Sequence, residues 1–296
     1  MTDEPDVSAP PTCFLHPDRE TYVRCTRCER PICPDCMTSA AVGFQCPECV
    51  REGAASVREV RTVTGGRVPR TDGLVTKAIV SITGAVFILQ LVTGGVNGSI
   101  TRTLELVGVE VAAGEYYRLL TVMVVHAGIL HFVLNMYALW IMGPTLERWL
   151  GHLRFATVYL LSGFAGGVAS YLFNSPLQPS VGASGAIFGV FGAMLVVARR
   201  MNYDVRGLAA LILINLLFPV FFPGAIDWRA HLGGLAAGLV VGAIFAYAPA
   251  AVRTPVAVVG SLLVVIVCLV LVAQRTAEIK QDPRFGPIVT QLEQSG

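Results

Sequence analysis

A serine lies between glycines in the middle of a long stretch without charge. The segment GASG covers residues 182–185, and the sequence from Phe155 to Ala198 contains no Lys, Arg, Asp or Glu. A serine hydroxyl is a weak nucleophile until a neighbouring base accepts its proton. A lone serine in an apolar helix is more often a small packing residue. The chemistry of Ser184 therefore depends on which polar side chains share its depth.

Histidines supply candidate bases for this serine. Of the five histidines, His126, His131 and His231 fall within apolar segments, where polar side chains are rare and usually functional. His231 is the candidate general base, because an imidazole titrates near neutrality and can accept the proton of the Ser184 hydroxyl. A lone histidine in such a segment can instead donate a hydrogen bond to a neighbouring carbonyl group. The three histidines therefore indicate a functional site only when they are taken together with the other polar residues at this depth.

The same segments contain candidate donors for an oxyanion, which forms when a nucleophile attacks an amide. His131 and Asn135 are four residues apart and share one helical face. A ring N–H of His131, the amide of Asn135 and the backbone N–H of Ser184 at a helix N-terminus could stabilise the negative charge. Gly182 and Gly185 would let a substrate backbone approach closely. Together these residues predict hydrolysis through an activated serine.

The composition places most of the 296-residue chain in lipid. Hydrophobic residues make up 54% of the sequence, charged residues only 14%, and the mean hydropathy is +0.63. Soluble globular proteins carry roughly 25% charged residues. The net charge of +2 says little about partners.

Seven hydrophobic runs are long enough to cross a bilayer about 30 Å thick, which takes about 20 helical residues. They cover residues 75–97, 119–145, 155–173, 183–201, 205–222, 229–248 and 254–274. The first part of the long second run is expected to be a loop or re-entrant piece. Ser184 and His231 each lie at the start of a span that enters from the same side. We therefore expect both a turn or two below that surface, together with His131 and Asn135.

Lys and Arg in the short flanks predict the orientation of these spans. One side carries the basic residues before the first span and then Arg148, Arg154, Arg199, Arg200, Arg206 and Arg253, and the other side carries Arg102, Arg118 and Arg229. The N-terminus is therefore expected in the cytoplasm, for a multi-pass protein of the cell membrane. Ser184, His231 and the polar tail, residues 276–296, would then lie towards the outside.

Glycines recur at intervals of four on two of the predicted spans: Gly185 and Gly189 on the fourth, and Gly234, Gly238 and Gly242 on the sixth. Such stripes let two membrane helices approach closely enough for their side chains to meet. They are also common in multi-span proteins. They favour a contact between the two helices only in combination with Ser184 and His231.

Five short motifs in order resemble those of the rhomboid family of intramembrane serine proteases, over about residues 75–248. They are YYRLLT (116–121), HFVLN (131–135), LERWLG (146–151), GASG (182–185) and AHLGGLAAG (230–238). The resemblance implies that Ser184 is the nucleophile and His231 the base of a catalytic dyad. It implies oxyanion or accessory roles for four further residues: His131, Asn135, His126 and Gly182.

The resemblance also implies an all-α polytopic membrane fold, with a six-helix core at residues 74–250 and a seventh transmembrane helix at 251–275. A substrate's transmembrane helix would be partly unwound and cut near its outer end, without a cofactor, after entering past residues 218–227. Two positions depart from the family's pattern. Tyr117 precedes Arg118 where many members have tryptophan, and Phe188 stands where some members have a tyrosine beneath the base.

Seven of the eight cysteines crowd into residues 13–50. With one histidine they form four pairs, each with two intervening residues: Cys13 and His16, Cys25 and Cys28, Cys33 and Cys36, Cys46 and Cys49. Four such pairs suit two tetrahedral structural zinc ions, and we expect the first and third pairs to share one ion and the second and fourth the other. A disulfide alternative would need an outside N-terminus and leave one of the seven cysteines unpaired, and no apolar signal peptide begins the sequence. Cys268, in the last span, is expected to be an inert packing residue.

This small zinc-binding domain precedes the membrane core and resembles B-box and related treble-clef zinc fingers, which implies a cytoplasmic protein partner. Nucleic acid is not expected as a partner, because acidic residues are interleaved with the arginines of residues 13–50. Residues 1–12 are predicted to be a disordered leader and residues 51–73 a basic linker.

Two functions of different class stay open on the sequence alone. One is an intramembrane endopeptidase acting on transmembrane proteins in the bilayer, and the other is a non-catalytic rhomboid-like binder or quality-control adaptor for membrane proteins. Reaction with a fluorophosphonate distinguishes them, because only an activated serine reacts. A transporter is disfavoured, because the predicted spans contain no carboxylates and show no inverted repeat.

Overall fold

The computed structural model describes residues 10–56, 62, 64–65, 68, 71–221 and 226–295. The chain divides into two compact units, residues 1–60 and 61–296. Most of the predicted leader and much of the predicted basic linker lie outside the described residues. So do residues 222–225 of the gate that the resemblance implies. Residues 51–56, assigned to the linker from the sequence, are helical instead, because the helix that begins at Pro47 continues to Ser56.

The first unit is built around cysteines rather than around a large apolar core. Two short antiparallel strands, β1 (Thr38–Ser39) and β2 (Phe44–Gln45), precede the helix α1 (Pro47–Ser56). Gly43 lies in the turn between the strands with a left-handed φ of 66°, which glycine adopts without strain. The cysteine-rich segment at residues 13–50 is short enough that disulfides, metal or oligomerisation are usually needed for stability.

The second unit is helical. Its helices are α2 (Leu74–Val92), α3 (Ser99–Leu104), α4 (Gly108–Ala112), α5 (Arg118–Thr121), α6 (Ile129–Leu150), α7 (His152–Phe173), α8 (Ser184–Arg200), α9 (Arg206–Phe221), α10 (Trp228–Tyr247), α11 (Arg253–Gln281) and α12 (Gly286–Ser295). In the described part of the chain, five helices are long and apolar enough to cross a membrane: α2, α6, α7, α10 and α11. Helices α8 and α9, with 17 and 16 residues, are shorter. The all-α polytopic membrane fold expected from the sequence is confirmed.

The helices follow the predicted spans except in two places. The run predicted as a second span, residues 119–145, divides into α5, a 3-10 turn at Val122–Val124 and α6, which begins only at Ile129. Gly128, with a φ of 152°, makes the entry into α6 in a conformation that suits glycine. The seventh helix does not end at residue 275, since α11 continues to Gln281.

The segment predicted to be a polar tail contains α12 and packs on the core. Ile279 and Val289 are each only 1% exposed, and α11 and α12 both contact α4. Apolar residues at positions 288, 289 and 292 form one face of α12. The overall polarity of residues 276–296 conceals this apolar face. The hydroxyls of Tyr171 in α7 and Thr276 in α11 lie 2.8 Å apart and link the seventh helix to the core.

Helix α10 lies against both α7 and α8, and glycines set the spacing between them. A Cβ atom on Gly234 would come within 1.9 Å of the carbonyl oxygen of Gly185, and one on Gly238 within 2.1 Å of that of Gly189. The backbones of α8 and α10 are therefore in direct contact, at a distance that only glycine permits. This contact fixes the start of α8 relative to the start of α10.

A buried carboxylate near the end of α6 caps the beginning of α2. Glu147 is fully buried and accepts hydrogen bonds from the backbone N–H groups of Val75 and Thr76, at 2.9 and 3.0 Å. The Thr76 hydroxyl donates to the same carboxylate at 2.8 Å, and Nδ1 of His152 lies 2.5 Å from it. The carboxylate thus satisfies N–H groups that a helix leaves unpaired in its first turn.

We expect Glu147→Ala to lower the free energy of unfolding by about 2–4 kcal/mol, because several buried donors of α2 lose their acceptor. Thermal unfolding in detergent micelles measures the change. The matched control is Glu293→Ala, which removes a carboxylate from an exposed pair with Lys280 and should cost less than about 1 kcal/mol. Equal melting temperatures for the two variants would contradict the capping role.

Candidate active site

Ser184 and His231 meet where α8 and α10 begin. Ser184 is the first residue of α8, and His231 lies in the first turn of α10. The hydroxyl oxygen Oγ of Ser184 lies 2.8 Å from the ring nitrogen Nε2 of His231, which is a hydrogen-bond distance. The imidazole is therefore placed to accept the hydroxyl proton, which is what a serine nucleophile requires of its base.

Stacking and burial orient the His231 ring. Phe188, one turn after Ser184, stacks on it with ring centroids 4.2 Å apart and planes inclined by 14°. His231 is 6% exposed, and its Nδ1 has no hydrogen-bond partner among the described residues. Because Nε2 faces the hydroxyl as an acceptor, we assign the proton of the neutral ring to Nδ1. The phenyl ring of Phe188, a departure from the family's pattern, thus still supports the base.

His131 faces the same space from α6. A Cβ atom on Gly182 would lie 2.7 Å from Cε1 and 2.9 Å from Nε2 of the His131 ring, and 3.8 Å from the Ser184 hydroxyl oxygen. Nδ1 of His131 accepts the backbone N–H of Ala127 at 3.3 Å, so the ring proton is on Nε2, beside Gly182. Gly182 has a φ of 127°, and both this conformation and the closeness of the ring require glycine. The structure thus brings His131, Gly182 and Ser184 together.

Asn135 lies one turn further along α6 and is partly engaged. It is 7% exposed, and its Nδ2 donates to the backbone carbonyl of His131 at 2.8 Å. A side-chain amide has two N–H groups, so one remains for a developing negative charge. Of the proposed oxyanion donors, Asn135 is the one whose amide is already shared with the helix backbone.

His126 contacts the ring of His131. The two imidazole centroids are 5.2 Å apart, and Phe132 meets the His126 ring edge-on at 5.5 Å. The side chain of Gln90 in α2 holds the His126 backbone on both sides: Oε1 accepts its N–H at 3.0 Å and Nε2 donates to its carbonyl at 3.2 Å. His126 therefore supports the His131 ring by packing.

Arg118, in the motif YYRLLT (116–121), holds together the segment between α2 and α6. Arg118 is 5% exposed and donates to the backbone carbonyls of Arg102 and Glu105, at 2.6 and 2.7 Å. It also pairs with the carboxylates of Glu110 and Glu115, at 3.0 and 2.7 Å. Burial raises the pKa of Glu110 even though Arg118 opposes that shift.

Tyr117 has its own contact in this segment. Its hydroxyl donates to the carboxylate of Glu115 at 2.6 Å. Burial acts to raise the pKa of Glu115, but the hydrogen bonds from Tyr117 and Arg118 outweigh it and leave the pKa below its usual value. Tyrosine in place of tryptophan therefore adds a hydrogen bond beside Arg118.

Two polar side chains that the sequence analysis did not single out contribute to the site. Gln90 is the buried amide that holds His126, and Asp227 accepts hydrogen bonds from the first N–H groups of α10. A lone amide within an apolar span was a usable signal for Gln90. An aspartate directly before an apolar helical run was the corresponding signal for Asp227.

In the N-terminal unit the predicted metal ligands form two clusters. One contains Cys13, His16, Cys33 and Cys36 and the other contains Cys25, Cys28, Cys46 and Cys49, with the ligand atoms of each cluster within 4.8 Å of one another. The grouping combines the first pair with the third and the second with the fourth. Each cluster is one imidazole and three thiols, or four thiols, and both sets suit tetrahedral zinc.

The separations between ligand atoms fit this geometry. Tetrahedral bonds of about 2.0–2.3 Å put neighbouring ligand atoms about 3.3–3.8 Å apart. In the first cluster His16 Nδ1 lies 3.3, 3.4 and 3.9 Å from the sulfurs of Cys36, Cys33 and Cys13. In the second, the sulfurs of Cys28 and Cys46 lie 3.8 Å apart.

Hydrogen bonds around the second cluster favour the thiolate forms of Cys25 and Cys28. The backbone N–H of Cys46 donates to Cys25 Sγ at 3.3 Å, and the guanidinium of Arg30 donates to Cys28 Sγ at 3.3 Å. This contact with Arg30 lowers the pKa of the Cys28 thiol. Such outer contacts orient and stabilise metal-bound sulfur.

Comparisons of the sequence with known proteins identify rhomboid relatives of this chain. The family model described as the rhomboid domain matches residues 113–248. Rhomboid protease GluP of Bacillus subtilis (strain 168) is 42% identical over 161 residues, which are 51% of this chain and 31% of GluP. RHOMBOID-like protein 6, mitochondrial, of Arabidopsis thaliana is 38% identical over 163 residues, 51% of this chain and 52% of that protein.

A third relative is covered over more of its length. Putative rhomboid protease YdcA of Bacillus subtilis (strain 168) is 38% identical over 135 residues, 44% of this chain and 68% of YdcA. The chain thus spans between about a third and two thirds of these three relatives. The resemblance inferred from the five motifs is confirmed. An integral membrane protein with several apolar helices, this chain belongs to the rhomboid family.

Proposed function

We propose that this protein is an intramembrane serine endopeptidase that cuts transmembrane helices of other membrane proteins near their outer ends. The observation that carries the proposal is the 2.8 Å contact between Ser184 Oγ and His231 Nε2. Membership of the rhomboid family supports the class of reaction. The contact supplies the nucleophile and base that this reaction needs.

In the proposed reaction, Ser184 Oγ attacks the carbonyl carbon of the scissile peptide bond while His231 Nε2 takes its proton. The carbonyl oxygen becomes an oxyanion, which Nε2–H of His131, the backbone N–H of Ser184 and the amide of Asn135 stabilise. His231 then gives the proton to the leaving nitrogen as the C–N bond breaks, which leaves an ester on Ser184. Water, deprotonated by His231, hydrolyses the ester and restores the hydroxyl.

The substrate must reach the serine with an accessible carbonyl group. In an intact transmembrane helix every backbone group is paired internally, so a segment of the substrate has to unwind before it can be attacked. Because Gly182 has no Cβ atom, no side chain stands between the His131 ring and the Ser184 hydroxyl, where the substrate carbonyl has to bind. This requirement supports helices that unwind easily, with glycine or proline near the cut, as the preferred substrate class.

We propose that the N-terminus is cytoplasmic, that the protein is located in the cell membrane and that the catalytic pair lies towards the outside. Arg148 at the end of α6, Arg154 at the start of α7 and Arg200 at the end of α8 fall on one side if the helices alternate in direction. An excess of basic residues favours the cytoplasmic side. Ser184 and His231 begin α8 and α10 and so fall on the opposite side.

Cleavage of a reporter tests the function. Purified protein in liposomes is incubated with a fluorescent reporter that has one transmembrane helix, and the fragments are measured by mass spectrometry. We expect two fragments whose junction lies in the outer third of the reporter's helix. A reporter that binds but stays intact would favour the non-catalytic binder, and a cut near the cytoplasmic end would contradict the proposed orientation.

We further propose that the two clusters each hold a structural zinc ion and that the N-terminal unit binds a cytoplasmic protein. The ligand sets and their separations support zinc, which would cross-link a unit that has little apolar core. Exposed apolar side chains, among them Tyr22 and Val42 at 80% and 79%, support contact with a partner. Catalysis is proposed to need neither ion.

The zinc content of the purified protein tests the metal assignment. We expect two zinc ions per chain by elemental mass spectrometry, one in each cluster, and one ion fewer for Cys33→Ser, because that variant breaks only the first cluster. Cys268→Ser is the matched control, since Cys268 lies in α11 and belongs to neither cluster. Unchanged zinc content in Cys33→Ser would contradict the assignment.

A further inference from the structure

Asp227 lies directly before α10 and contacts the helix that carries the candidate base. Its Oδ1 accepts the backbone N–H groups of Arg229 and Ala230, at 3.2 and 3.4 Å. The backbone N–H of His231 in turn donates to the carbonyl oxygen of Asp227 at 3.4 Å. The side-chain carboxylate and the backbone carbonyl of Asp227 therefore both bond to the first turn of α10, which carries the His231 side chain.

The other carboxylate oxygen of Asp227 contacts two further elements. Oδ2 accepts the hydroxyl of Ser180 at 2.8 Å, and the hydroxyl of Ser170 in α7 also donates to it. Both serines are buried, at 6% and 1% exposure, where a hydroxyl needs a partner. One carboxylate thus links α7, α10 and the segment that leads into α8.

Ser180 connects this carboxylate to the nucleophile. It lies four residues before Ser184, and its backbone forms a two-way bridge with Leu106, with N–H to oxygen distances of 2.9 and 3.0 Å. The chain from Ser180 to Ser184 is therefore held at its start by Leu106 on one side and by Asp227 on the other. A shift of Asp227 would move the starts of α8 and α10 relative to each other.

The carboxylate does not act as the third member of a triad. All four of its described contacts are to the hydroxyls of Ser170 and Ser180 and to the N–H groups of Arg229 and Ala230. Nδ1 of His231 has no hydrogen-bond partner among the residues that the structure describes. The carboxylate of Asp227 thus contacts the starts of two helices and not the imidazole, which stacks on Phe188.

We propose that Asp227 is a positioning residue that sets the distance between Ser184 and His231, through Ser180 on the side of the nucleophile and the first turn of α10 on the side of the base. This inference rests on the proposed peptidase function. Small displacements matter at such a site, because a misplacement of about 1 Å between reacting groups can cost roughly 100-fold in rate.

The test compares the rate constant for fluorophosphonate labelling, the kcat and KM for reporter cleavage, and the melting temperature. For Asp227→Ala we expect labelling and kcat to fall by about 10–100-fold, with KM unchanged, because the substrate contacts are not altered. Asp227→Asn should recover most of the rate, since its oxygen can accept from α10 and its N–H groups can donate to the serine hydroxyls. The matched control is Asp204→Ala, which removes an exposed carboxylate that accepts the N–H of Arg206 at the start of α9 and should label at the wild-type rate.

Wild-type labelling in Asp227→Ala would overturn the inference, as would an asparagine variant as slow as the alanine variant. If Asp227→Ala does not fold, Ser180→Ala decides: labelling should fall severalfold at an unchanged melting temperature, and an unchanged rate overturns the proposal. Wild-type protein that does not label at all would contradict the peptidase function itself. A labelled wild type with a fully active Asp227→Ala contradicts only the role of Asp227.

Discussion

Ser184→Ala and His231→Ala are each expected to reduce cleavage of a transmembrane reporter to background. The serine supplies the protein atom that bonds covalently to the substrate in the proposed reaction, and the histidine is the base that activates it. Loss of either member of such a unit lowers kcat by a factor on the order of 10⁶ in a well-studied soluble serine protease. Both single variants and the double variant should therefore be equally inactive, as residues that act as one unit are not additive.

The control for this prediction is Ser261→Ala, which removes a hydroxyl from α11 and should cleave the reporter at the wild-type rate. The melting temperature of every variant is measured alongside, because loss of cleavage is informative only in folded protein. Substantial cleavage by folded Ser184→Ala would show that another nucleophile acts and would end the assignment of this residue.

Gly234→Ala is the second change with a large expected effect. Its Cβ atom would lie 1.9 Å from the carbonyl oxygen of Gly185, which belongs to the backbone of α8 and cannot turn away. The helices must separate, and overpacking of this kind destabilises proteins by about 1–3 kcal/mol or more. Because Gly185 follows Ser184 directly, the separation also moves the nucleophile from the base, and cleavage should fall by roughly 100-fold or more.

Gly207→Ala is the matched control. Gly207 also lies in a helix, α9, but a Cβ atom there would meet nothing within 4 Å. Replacing such a glycine by alanine is expected to be neutral or to stabilise by up to about 1 kcal/mol, because alanine is the better helix former. If Gly234→Ala retained the melting temperature and activity of Gly207→Ala, the close contact of α8 with α10 would not be what holds the site.

The candidate pair was accessible to sequence reasoning because each residue begins a span. The start of a span fixes the depth of a residue in the membrane, and the glycine stripes, taken together with Ser184 and His231, favour a contact between the two helices. Local patterns therefore predict that Ser184 and His231 lie close together, although they are 47 positions apart in the sequence. The place of Phe188 beneath His231 came instead from the resemblance, which puts an aromatic residue there, and the structure shows the two rings stacked.

Hydrogen bonds between distant segments could not be read in the same way. Gln90 and Asp227 are single polar residues whose partners, His126 and the serines of α7 and the α7–α8 connection, come from elsewhere in the chain. Their type signals a buried or capping role, but no periodicity selects the partner. The hydrogen bond from Asn135 to the His131 carbonyl is local, four residues apart in α6, but the sequence does not predict it either, because it depends on the side-chain rotamer.

The ends of the membrane segments were set by glycine and by tertiary packing. Gly128 delays α6 until Ile129, although the hydrophobic run begins some ten residues earlier. Residues 276–295 pack on the core because Ile279 and Val289 are buried among its apolar side chains. The average hydropathy of the segment does not predict this burial. The metal clusters, in contrast, were predictable from the sequence, because four regularly spaced pairs of ligands can form two tetrahedral sites in only a few ways.

The most direct measurement of the central claim is the site of fluorophosphonate attachment. Purified wild-type protein is labelled, digested and sequenced by mass spectrometry, beside Ser184→Ala and His231→Ala. An activated hydroxyl at 2.8 Å from its base predicts label on Ser184 in the wild type and essentially none in either variant. Label on another residue, or undiminished labelling of Ser184 without His231, would contradict the account.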